Sequence, residues 1–70
     1  MFNYSKLRGK IIEICGNVGQ FATLMKWSVV TVSRKLNNKV YWTQDEILKA
    51  VDVLNLKISD IPEYFFTREV

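Results

Sequence analysis

Seventy residues, 49% of them hydrophobic, are enough for one small folded domain and too few to divide an apolar core in two. A lone cysteine, Cys15, and the absence of histidine exclude an internal disulfide, a zinc site of the usual Cys/His kind, and a Cys-His or Ser-His-Asp catalytic set. The net charge of +3 is uneven: residues 1–44 hold seven Lys or Arg against one acid, Glu13, whereas residues 45–70 hold three bases against six acids, a pattern expected where one face meets a polyanion.

The first periodic stretch places Tyr4, Leu7, Ile11, Ile14 or Cys15, and Val18 at intervals of three or four, which predicts an amphipathic helix from about Ser5 to Cys15. Gly16 suits a left-handed C-terminal cap, and Cys15 reads as core rather than as a reactive thiol. Val18, Phe21, Ala22, Leu24 and Met25 predict a short second helix with Asn17 as its N-cap. Ser28 is a second good N-cap, heading a third helix over Val29 to Leu36 whose buried side is Val32 and Leu36. Asn37 and Asn38 tolerate left-handed geometry and stop it.

Residues 39–42 read as a loop, and Thr43-Gln-Asp-Glu46 has capping-box spacing for a fourth helix lined by Ile47, Ala50, Val51 and Leu54, with Asn55 at its end. A further cap signal, Ser59-Asp60, precedes Ile61-Pro62-Glu63, since proline is favoured in a first helical turn. The fifth helix then carries Tyr64, Phe65 and Phe66. Leu7, Ile11, Phe21, Ala22, Met25, Trp27, Val32, Leu36, Ile47, Val51 and Leu54 are the expected core, and no strand pairing is expected.

Residues 21–39 meet the needs of a helix-turn-helix. Ala22 is small where the second helix crosses the first, Met25 and Trp27 are apolar about the turn, Ser28 caps the second helix, and Val32 sits at its centre. That spacing suits a helix presented to a DNA major groove by its N-terminal half.

Here the chain also resembles a known family, the small Cro-like, repressor-type helix-turn-helix proteins of temperate phages of Gram-positive bacteria, within the lambda-repressor and Cro superfamily. The resemblance runs from Asn3-Tyr-Ser-Lys-Leu-Arg-Gly-Lys-Ile-Ile-Glu13, through Ser33-Arg-Lys-Leu-Asn-Asn-Lys39, to Ile61-Pro-Glu-Tyr-Phe-Phe-Thr67. It implies an all-α, compact five-helix, lambda-repressor-like domain over residues 1–70 and a role in choosing between lysogenic and lytic growth.

Carried over by position, the DNA-facing residues would be Ser28, Val29, Val30, Ser33, Arg34 and Asn37, with Thr31 beside them. Ser28 would cap the helix and bond a phosphate, Arg34 would reach a guanine edge or a phosphate, and Lys26 and Lys39 would be phosphate contacts or ordinary surface lysines.

Departures from the family pattern redirect part of this reading. Val18 stands where many members have glutamine, Lys26 replaces the turn glycine, and Lys35 occupies a position often apolar, with Leu36 expected to take the burial instead. Val29 and Val30 stand where polar residues are usual, and valines pack on thymine methyls without hydrogen-bonding a base edge. The same pair flanked by Ser33 and Arg34 forms a plausible protein-binding patch. Two functions follow. The first is a transcriptional regulator binding double-stranded operator DNA as a homodimer. The alternative is an antirepressor, like the small phage modulators of repression that bind and block the DNA-reading domain of a partner repressor.

Of the remaining aromatics, Tyr41 and Trp42 either pack under the loop or stack on a base. Phe2, Tyr4, Tyr64, Phe65 and Phe66 are too many for one corner of a small core, so some are expected to join the chain ends and others to form a dimer contact. Residues 58–70 are expected to lie away from the DNA face and to supply much of that contact.

No catalytic constellation is visible, and neither catalysis nor a cofactor is expected. With no apolar run near the roughly 18 residues of a membrane span and no signal-like start, the expected setting is the bacterial cytoplasm, on DNA.

Overall fold

The computed structural model describes residues 1–69, and in them the expected periodicity becomes five α-helices: α1 Ser5–Cys15, α2 Val18–Met25, α3 Val29–Leu36, α4 Gln44–Val53 and α5 Ile61–Phe65. A 3-10 turn, Ile58–Asp60, leads into α5. The N-caps act as their chemistry requires. The Asn17 side chain accepts the Gln20 N–H, Ser28 accepts that of Thr31, and Thr43 with Glu46 completes the capping box of α4. Asp60 departs from expectation: its carboxylate accepts the Lys57 N–H at 2.9 Å, closing the 3-10 turn instead of capping α5.

Gly16 ends α1 at φ 92°, while Lys26, Asn38 and Asn55 end the next three helices at φ 61°, 62° and 56°. After α2 the Trp27 N–H reaches the Ala22 carbonyl and the Lys26 N–H that of Thr23. This paired closure takes up carbonyls the helix would otherwise leave unsatisfied, and it recurs after α3 and α4. Asparagine adopts left-handed geometry readily, whereas lysine does so at a cost.

Helices α1, α3 and α4 surround α2, with α5 closing the base against α1 and α4. Leu7, Ile11, Phe21, Met25, Val32 and Ala50 are fully buried, and Ala22 is nearly so, as a close crossing demands. Ile47, Val51, Leu54 and Leu36 are buried as expected, and Tyr4 and Phe65 join them. Two expectations are corrected. Trp27 is only half-buried, packed against the core's edge, because it shares that edge with Trp42. Leu36 does not substitute for Lys35 in the core, because both are buried.

Lys35 reaches burial as an ion. Its Nζ donates to Glu46 Oε1 at 2.8 Å and to the Tyr41 carbonyl at 2.9 Å, and lies 5.1 Å from the Trp27 ring and 5.8 Å from that of Trp42. An ammonium held by a carboxylate, a carbonyl and two π faces is compensated for leaving water. The Trp42 ring meets Phe65 edge to face at 5.0 Å, so it packs under the loop, while Tyr41 is exposed.

No strand forms among the described residues, yet an isolated antiparallel bridge pairs Phe2 with Arg68. Asn3 donates to Thr67 at 2.7 Å and Glu69 to Met1 at 3.1 Å. The remaining backbone groups of Phe2 face the side-chain amide of Asn38, which accepts from its N–H at 3.1 Å and donates to its carbonyl at 2.8 Å. The chain ends are therefore joined to each other and to the end of α3. The acidic end segment anchors to the core through Phe65, while most of its other described residues are exposed. Val70, the last residue of the expected dimer contact, lies outside the described residues.

Two measurements check these assignments. Lys26→Gly relieves the left-handed turn and is expected to raise stability by about 0.5 to 1 kcal/mol in urea denaturation; a loss would show the turn to be unstrained. The second concerns Glu46. Burial by itself raises its carboxyl pKa, but the hydrogen bonds from Lys35 and the Thr43 backbone and the Lys35 charge outweigh it, leaving the pKa below its ordinary 4.5. The stabilisation is thus complete above that value and lost as pH falls through the lower folded value. Melting temperatures followed from about pH 6 to about pH 3 should drop more for the wild type than for Glu46→Gln. Parallel curves would contradict the assignment.

Candidate functional site

The outer face of α3 gathers most of the residues singled out by the sequence. Helical spacing of three and four places Val29, Val30, Ser33, Arg34 and Asn37 on one side, opposite the buried Val32, Lys35 and Leu36. Val29 and Val30 are 53% and 59% exposed, which excludes their tucking inward against the core. Two adjacent valines held in water at a helix start form an apolar projection that the fold itself does not use.

The polar members are less free than the sequence implied. Ser28 Oγ accepts the Thr31 N–H at 3.2 Å and pairs with Thr31 Oγ1 at 3.0 Å, so its cap role is realised within the protein. Thr31 is half-buried beside it. Asn37 Nδ2 donates to Ser33 Oγ at 3.3 Å, and its Oδ1 accepts from Arg8 Nη2 at 2.8 Å. Side chains already bonded in this way must exchange those bonds to read a base edge.

Arg34 and Lys39 are exposed and make no ion pair among the described residues, and Lys26 is exposed in the turn. Arg8 was not foreseen as part of this face. It arrives from α1 through the Asn37 hydrogen bond, a juxtaposition across 29 residues that no local pattern encodes. The face thus divides into an apolar tip, Val29 with Val30, and a cationic half, Arg8, Arg34 and Lys39, and α3 itself carries no acid. Such a surface can meet phosphates through its cations or a protein through its valines.

Cys15 is half-buried against the core, and burial pushes its thiol pKa upward, away from the thiolate form that reacts. No helix among the described residues is long and apolar enough to cross a membrane.

Comparison with known proteins adds two matches. No curated protein sequence matches the chain. The solution structure of the modulator of repression of the temperate bacteriophage TP901-1 from Lactococcus lactis is similar, with a TM-score of 0.84 and 58% sequence identity. That match covers 93% of this chain and 88% of the other. A family model, described as a protein of unknown function, DUF739, matches residues 1–68. With nearly its whole length accounted for by that model, the chain belongs to the DUF739 family.

Proposed function

We propose that this protein is a modulator of repression, a non-catalytic antirepressor that captures the DNA-reading domain of a phage repressor and keeps it from its operator. The observation that carries this reading is the 58% identity to the TP901-1 modulator over nearly the full length of both chains. The α3 face supports it independently. It projects two valines beside the cations Arg34 and Lys39, and its polar side chains at Ser28, Ser33 and Asn37 are bonded within the protein. An apolar centre rimmed by polar groups is the arrangement of a protein interface.

Operator binding by a Cro-like dimer, placed first on sequence grounds, becomes the second reading. It draws on the lambda-repressor-like sequence pattern of α2 and α3 and on the unpaired Arg34 and Lys39. Its geometry is demanding. The molecule is 30 Å in its longest dimension, and two recognition helices reading a palindrome stand about 34 Å apart, so only a dimer with its contact away from α3 could serve. Either function would be exercised in the cytoplasm of a bacterial host.

The experiment is a binding titration against the DNA-reading domain of the repressor encoded at the same locus, alongside salt titrations on operator and random DNA. Capture is expected, with Val29→Ala/Val30→Ala weakening it about tenfold or more while leaving the melting temperature within a few degrees. Binding to the two DNAs is expected to be weak and equal. Tight operator-selective binding that falls steeply with salt, without capture, would instead establish the Cro-like function.

A further inference from the structure

A second surface lies apart from the outer face of α3. Between α4 and α5 runs an open groove of about 380 Å³ lined by Gln44, Asp45, Ile47, Leu48, Ile61 and Phe66. Leu48 and Phe66 are 45% and 49% exposed there, two large apolar side chains lining the same groove. On α4 the exposed residues Asp45, Leu48 and Asp52 follow at spacings of three and four, so a carboxylate stands about one turn to either side of the leucine. Neither Asp45 nor Asp52 makes an ion pair among the described residues, and no Lys or Arg lines the groove.

We propose that the α4–α5 groove is a second docking surface, which receives a basic amphipathic helix of the captured repressor. The inference rests on the repressor-capture reading, and charge decides the occupant. A DNA-reading domain must be basic wherever it meets phosphates. The α3 face, with Arg8, Arg34 and Lys39 and no acid of its own, cannot neutralise such a surface and would repel it outside the valine tip. The groove offers the complement. An apolar side chain of the incoming helix seats on Leu48 and Phe66, and Lys or Arg one turn to either side meet Asp45 and Asp52 in place of phosphates. Capture is thus bipartite: the valines supply apolar contact, and the groove supplies the charge that excludes DNA from the same cations. A second copy of this chain offers the groove its own basic α3, and sedimentation distinguishes that occupant from the repressor.

The test uses the full chain and the purified DNA-reading domain of the repressor from the same locus, with affinities measured by fluorescence anisotropy at low and high salt. Asp45→Lys/Asp52→Lys is expected to weaken capture at least tenfold at low salt and to flatten its salt dependence, and Asp45→Asn/Asp52→Asn to do so in part. Val29→Ala/Val30→Ala should lower affinity while leaving the salt slope intact. Asp52→Lys alone serves if the double change disturbs folding, because a cation is favoured in a last helical turn. Unchanged affinity and salt slope in the charge variants, with the valine variant still defective, would overturn the groove and leave the proposed function standing. So would wild-type protein sedimenting as a dimer that the charge variants break. A wild-type protein that captures no repressor would overturn the function itself.

Discussion

The position of α3, and so everything its outer face presents, depends on one buried ammonium. Lys35 is only 4% exposed, and its burial is tolerated because Glu46 Oε1, the Tyr41 carbonyl and the rings of Trp27 and Trp42 surround its Nζ. The same Glu46 oxygen accepts the Thr43 N–H at 2.8 Å, so one atom both caps α4 and pairs the lysine. Rotating α3 or sliding α4 would expose the charge or strip it of its partner, and either costs far more than the pair contributes when formed. An apolar residue of similar volume here would bury at less expense.

A similar economy closes the chain. Asn38 ends α3 in the left-handed region, and the amide so placed takes both backbone groups of Phe2 that the bridge to Arg68 leaves unused. Three distant segments meet through one side chain. In a domain with few residues to spare for its core, linking the ends to α3 limits fraying where a short chain is most prone to it.

Charge is segregated by the fold as well as along the chain. The α3 face holds cations and an apolar tip; on α4, Asp45 at the groove and Asp52 a turn beyond flank the exposed Leu48. A protein that read DNA by itself would have use for only the first of these. A protein that engages another DNA-binding protein has a use for both, because its partner is itself basic where DNA would lie.

Local chemistry made much of this legible in the sequence. Helix starts were readable because Asn17, Ser28 and the Thr43–Glu46 box satisfy orphan N–H groups within three residues of themselves, and helix ends because Gly16, Asn38 and Asn55 tolerate positive φ. The core was readable wherever apolar spacing matched the helical period, and Val29 and Val30 stood out because the resembled family has polar residues there. Tertiary structure alone decided the rest. Lys35 looked like a surface cation because its carboxylate is 11 residues away and its indoles flank it in a turn and a loop; Arg8 joined the α3 face across 29 residues; and the groove arises only when α5 folds back on α4. Sequence period reports which side of a helix is apolar, but it carries no information about which helix lies opposite, and these features depend on that.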